Sequence, residues 1–175
     1  MIQDLQIDIF VVPAVVLLLV IVLFGKVSKK TGRERDFKQL VIYIALIAFF
    51  LNLVWELAQG TLYKGYEYDF QHIAFCTLAS VADAIMAVLL YLGFAFILKE
   101  PFWIGELSFT RGLLLMLVGG IGAILGEIRH ISAGNWAYAD SMPLIPFVHV
   151  GLSPVLQFTL LPILIYVLSY RMLKK

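Results

Sequence analysis

Apolar positions in this chain fall in long blocks rather than in alternation. Uncharged or nearly uncharged stretches occupy residues 9–25, 39–58, 73–98, 112–127 and 147–170. As helices they match the roughly 30 Å thickness of a hydrocarbon core, with 112–127 the shortest. The pattern predicts an all-α bundle of five transmembrane helices forming a single domain. The first block carries no polar side chain, which predicts a peripheral helix facing lipid. Gly119, Gly120, Gly122 and Gly126 in the fourth block predict close approach of a neighbouring helix. Pro101, Phe102 and Trp103 predict a turn with aromatic anchors. Three prolines and Gly151 between Met142 and Pro154 predict a broken or re-entrant start to the fifth block.

Polar residues interrupt these blocks with helical spacing. Seventeen uncharged residues, 39–55, lead into Glu56, and Asn52, Trp55, Glu56 and Gln59 share one helical face. His72, Cys76, Ser80 and Asp83 mark one face of the third block, and His149, Ser153 and Gln157 recur every four residues in the fifth. The fourth ends in Glu127, Arg129 and His130, and the loop after it carries Asn135, Trp136, Tyr138 and Asp140. At about 1.5 Å rise per residue, Asn52 and Gln157 lie about 20 Å from the far ends of their spans. Asp83 and Glu127 lie at about 22 Å and Glu56 at about 25 Å, with His72, Arg129, His130 and His149 just beyond. The other half of every span is aliphatic and aromatic. This asymmetry predicts a polar pocket in the outer half of the bilayer, open to the outside or to the outer leaflet.

Composition agrees with the pattern: 62% of residues are hydrophobic and 14% charged, outside the range of soluble domains. Charge adds orientation. Eleven of the thirteen basic residues lie in loop 26–38, at Lys99 and Arg111, or at the C-terminus, leaving Lys64 and Arg129 opposite. The positive-inside rule then gives an outside N-terminus and a cytoplasmic C-terminus, in a multi-pass protein of the bacterial inner membrane. Asp4 and Asp8, with no basic residue, precede the first block, which reads as a retained span rather than a cleaved signal. The basic residues are accounted for by topology and by contact with membrane lipids, so nothing calls for nucleic acid. Cys76 is the single cysteine, which excludes an internal disulfide.

Candidate chemistry follows from the carboxylates, because ionisable groups inside a membrane mark function by default. No lysine lies within a span, which excludes a retinal Schiff base, and no nucleophile-elbow pattern accompanies Ser80 or Ser153. Glu127-x-x-His130 has di-metal spacing, but such sites need a second copy and two further glutamates. His72 and Cys76 could ligate zinc with His130 or His149. The expectation is a site without metal or cofactor, with Glu56, Asp83 and Glu127 as acid–base candidates. Asn52, Trp55, Gln59, His72, Arg129, His130, Trp136, Tyr138, His149 and Gln157 would bind substrate. The packing alternative has Arg129 and the histidines neutralising the carboxylates and locking the helices together.

The run Asn52-x-x-Trp55-Glu56-x-x-Gln59-x-x-Leu62-Tyr63, then Cys76, Ser80 and Asp83, then Trp136-x-Tyr138 and Met142-Pro143-x-x-Pro146-x-x-x-Val150-Gly151-Leu152-x-Pro154-x-x-Gln157, resembles a family of small uncharacterised bacterial inner-membrane proteins. That resemblance implies topology and site membership but no reaction. Trp55-Glu56 with Asp83 bears a slighter likeness to membrane-bound meroterpenoid terpene cyclases, which pair a Trp-Glu with an acidic residue on another helix. The leading expectation is an enzyme of lipid or isoprenoid chemistry. A proton- or ion-coupled transporter or channel, as a homo-oligomer, is the second class, and a non-catalytic accessory subunit the third.

Overall fold

The computed structural model describes residues 11–175, with side chains from residue 14. Asp4, Asp8 and the start of the 9–25 block lie outside the described residues. Five helices follow one another: α1 (Val11–Ser28), α2 (Glu34–Gln59), α3 (Phe70–Leu98), α4 (Phe109–Ser132) and α5 (Leu152–Leu173). Helices α2 to α5 are long and apolar enough to cross a membrane. The described apolar part of α1, Ala14–Ser28, is shorter than these. Packing runs α1 on α3, α3 on α2, α2 on α5 and α5 on α4. Helix α1 is therefore peripheral, and Leu18, Ile21 and Val22 stay exposed along it.

One end of the bundle gathers the α1–α2 and α3–α4 connections, the C-terminus and the eleven basic residues. Its interior is an aromatic plug. Trp103, on a short 3-10 turn (Trp103–Glu106), is fully buried rather than an interfacial anchor, because the turn folds back under the helices. Its ring stacks on Tyr91 at 5.4 Å and on Phe94 at 5.2 Å, and meets Tyr166 edge-on at 5.9 Å. Each polar tip in the plug finds a backbone carbonyl. Trp103 Nε1 donates to Tyr91 O (3.3 Å), Tyr91 OH to Pro101 O (2.8 Å) and Tyr166 OH to Ala87 O (2.7 Å). Arg111 clamps the turn from outside, donating to the Trp103 and Glu106 carbonyls and pairing with Glu100 at 3.2 Å.

Two glycines fix how α4 meets α5. Pro162 lies inside α5 and has no N–H to offer the carbonyl of Phe158, four residues back. That carbonyl points at Gly119, where an added Cβ would come within 2.1 Å of it. At Gly120 a Cβ would meet Thr159 Oγ1 at 2.9 Å, whereas Gly122 and Gly126 face open space. The glycine stripe thus serves helix contact at two of its four positions.

Helix α5 begins at Leu152, five residues later than the apolar block, because residues 146–149 turn the chain back on itself, with Phe147 (φ 72°) and His149 (φ 53°) in the left-handed region. There Leu144–Ile145 and Val150–Gly151 pair as a two-residue antiparallel ladder, β1 with β2. Pro154 falls in the first turn of α5, where its missing N–H costs nothing.

Candidate functional site

The opposite end of the bundle is built from the ends of α2 and α4, the starts of α3 and α5, and the two loops that join them. An isolated bridge pairs Tyr63 with Tyr138, flanked by Lys64 N to Ala137 O (2.8 Å) and Ala139 N to Leu62 O (2.9 Å). This ties the α2–α3 loop to the α4–α5 loop. Gly60 allows the loop to turn tightly, since a Cβ there would strike the Tyr66 ring at 2.4 Å. Beneath the tied loops lies a cavity of about 200 Å³. Glu56, Asp83 and Glu127 line it, with Gln59, His72, Cys76, Asn135, Trp136 and Gln157. Its apolar wall includes Phe75, Ala79, Pro154 and Phe158, and Tyr63, Lys64 and Tyr66 contribute from the loop.

A network of amides holds the floor. Gln157, buried on α5, donates from Nε2 to Asn52 Oδ1 (2.9 Å), Glu56 Oε1 (3.1 Å) and Asp83 Oδ2 (3.1 Å). Its Oε1 accepts from Gln59 Nε2 (3.1 Å), which also donates to Glu56 Oε1 (2.8 Å). Gln59 Oε1 accepts from Ser153 Oγ (2.7 Å), and Asn52 Nδ2 donates to Ala48 O (2.8 Å). An amide NH2 has only two hydrogens, so three acceptors around Gln157 Nε2 leave the floor one donor short. The Glu56 and Asp83 oxygens that share this nitrogen are at most twice 3.1 Å apart.

Glu127 sits on a separate wall. Its Oε2 accepts from Tyr138 OH (2.5 Å) and Trp136 Nε1 (3.2 Å). Burial first, then this bond to Glu127, push the Tyr138 phenol above its ordinary value, which keeps it a donor. Burial likewise pushes the Tyr63 phenol up, and the Glu127 carboxyl adds to it. The Trp136 ring stacks on His130 (4.3 Å between centroids), and His130 Nδ1 lies 2.8 Å from Asn135 Nδ2. Opposite, His72 Nδ1 pairs with Asp69 Oδ1 at 2.8 Å, and its ring packs edge-on against Tyr66.

Several expected site residues lie elsewhere. Arg129 is exposed and does not line the cavity: two positions after a buried Glu127 on a helix, its side chain leaves from another face. The ion pairs among the described residues are Arg33–Asp36, Asp69–His72 and Arg111–Glu100, so none neutralises Glu56, Asp83 or Glu127. His149 is exposed, with φ of 53°, in the turn between the paired strands. It precedes α5, so the spacing of four with Ser153 and Gln157 places it on no shared face. Trp55 is half-buried against the core rather than in the lining, and its indole N–H is buried with no hydrogen-bond partner among the described residues. Ser80 donates to the Cys76 carbonyl and Ser153 to the Gln59 amide oxygen, neither of which is a base. Among the described residues no three His, Cys, Asp or Glu side chains converge as a metal site.

Sequence reasoning missed Lys64, Phe75, Ala79 and Phe158. Lys64 alone carried a signal, as a rare basic residue opposite the main cluster. No family model matches the chain, and no curated protein or solved structure matches it significantly.

Proposed function

We propose that this cavity is the acid–base site of an integral membrane enzyme acting on a lipid or isoprenoid. The observation that carries the reading is the carboxyl pair Glu56–Asp83, gathered on one amide at the floor of a largely apolar cavity, with no cation among the described residues paired to either. Two carboxyls this close repel when both are ionised and attract when one proton lies between them. Such a proton also supplies the donor that Gln157 lacks. The pair then acts as a general acid toward a bound double bond or leaving group, and as the base that recovers the proton. Glu127, held by Tyr138 and Trp136, sets the polarity of the far wall. Faces of Tyr63, Trp136 and Phe158 accompany positive charge that develops on the substrate.

The bundle sits, on this reading, in the bacterial cytoplasmic membrane with the basic end inside and the cavity toward the outer leaflet. The aromatic plug closes the way between the cavity and the basic end. That favours chemistry from one side over a transport path.

Purified protein incubated with total lipid extract should change the mass spectrum of an isoprenoid or lipid species. Asp83→Asn and Glu56→Gln should each lower that conversion by at least about a hundredfold, the usual weight of a general acid, while still folding. An unchanged product profile in both folded variants would overturn the reading. Proton-dependent flux in sealed vesicles, without conversion, would replace it with a transporter.

A further inference from the structure

At the basic end, far from the cavity, the last turn of α1 and the end of α3 form a narrow crevice lined by Val27, Lys30, Ala95, Phe96, Lys99 and Pro101. The ammonium of Lys30 stands 5.7 Å from the centre of the Phe96 ring and that of Lys26 5.9 Å from the same centre. Lys99 lines the same crevice. It caps α3 in the left-handed conformation (φ 56°), a position where glycine is the usual residue. The chain thus keeps a cation at a place that disfavours any side chain.

These three lysines differ from the arginines nearby. Arg33 is paired with Asp36 and Arg111 with Glu100, whereas none of the three enters an ion pair among the described residues. No carboxylate lines the crevice. Phe96 and Ile97 beside it are exposed apolar side chains, Ile97 to 75%. Unpaired cations over an exposed apolar ridge complement a phosphate joined to acyl chains.

We infer that this crevice is a binding site for the phosphate headgroup of an anionic phospholipid, held by Lys26, Lys30 and Lys99 with its acyl chains along the end of α3. A zwitterionic lipid carries its own ammonium, which the lysines repel. The site is independent of the carboxyl pair and of any reaction there.

Native mass spectrometry of the protein released from detergent tests this, with phosphatidylglycerol, phosphatidylcholine or inorganic phosphate added. One phosphatidylglycerol should be retained in preference to phosphatidylcholine. Lys30→Gln with Lys99→Gln should weaken it about thirtyfold, roughly fivefold per lysine. Lys174→Gln with Lys175→Gln removes equal charge at the same end and should leave retention nearly unchanged. Equal retention of the two lipids, or equal loss in the two double variants, would reduce the site to diffuse attraction and overturn the inference. Displacement by millimolar inorganic phosphate would assign the lysines to free phosphate instead and likewise overturn it.

Discussion

The two ends of this bundle bury polar atoms in opposite ways. At the basic end, Trp103, Tyr91 and Tyr166 each aim one polar tip at a backbone carbonyl and surround it with rings. Two of these acceptors belong to α3 and the third to the turn that follows it, so each tip is satisfied by the backbone and the packing is closed. At the cavity end, Asn52, Glu56, Gln59, Asp83 and Gln157 bond largely side chain to side chain, and acceptors outnumber donors. Hydrogen bonds between side chains of neighbouring membrane helices each add little net stability. What they do supply is a place where a proton or ligand completes the count. The same fold thus closes its packing at one end and leaves its hydrogen bonding open at the other.

The largest expected effect comes from breaking the closed end. Trp103→Ala leaves a cavity among Tyr91, Phe94 and Tyr166 and should cost about 3–5 kcal/mol, read as lowered resistance to thermal or denaturant unfolding in detergent. A loss under about 1 kcal/mol would show that the aromatic plug is not what holds the helices. Next comes the seam that joins the two ends. Gly119→Ala sets a methyl against the Phe158 carbonyl and should cost about 1–3 kcal/mol while pushing α4 from α5. Gly122→Ala, which meets open space, serves as the matched control.

The cavity end should tolerate change far better. Glu127→Gln keeps an oxygen for Tyr138 and Trp136 and leaves exposed Arg129 as it was, so the expected stability change is under about 1 kcal/mol. Tyr138→Phe removes the donor itself and should cost as much or slightly more. If Glu127→Gln unfolds the protein, Glu127 belongs with the structural end and the contrast between the ends fails.

Much of this arrangement was legible in the sequence because helical periodicity is a local property. Spacings of three, four and seven placed Glu56, Gln59 and Asn52 together, and the α3 stripe placed Cys76 and Asp83 on the same cavity. Gly119 and Gly120 were readable as contact residues. What failed depended on where helices end and on which neighbour lies across. His149 was assigned a helical register that begins only at Leu152. Arg129 reads from sequence as a neutralising partner for the carboxylates, but two residues along a helix turn its side chain well away from that of Glu127. Trp103 was taken for a surface anchor because nothing local reveals that its turn folds inward. Lys64 reaches the cavity through a bridge between two loops and Phe158 from a helix packed across the bundle, and neither is a local property of the sequence.

The smallest effect separates the ends by acid. Helix α3 starts at the cavity end with Asp69 as N-cap, whose Oδ1 accepts from His72 N at 2.8 Å. Helix α4 starts at the basic end with Ser108, whose hydroxyl accepts from Arg111 N at 3.3 Å. The two caps do the same work, but only the aspartate titrates. The His72 backbone N–H, then its ring, hold the Asp69 carboxyl below its ordinary value. A carboxyl lowered by folding favours the folded state fully above its unfolded value near 4, and that contribution disappears as pH falls through the lower folded value. Below about pH 4, therefore, the first turn of α3 should fray while that of α4 holds. Amide exchange at His72 and Ile73, compared with Arg111 and Gly112, reads both turns in one sample. Asp69→Asn, which caps without titrating, should flatten the acid response of α3 and leave α4 as before. Equal exchange at the two starts across this range would mean that Asp69 is not what secures the first turn of α3.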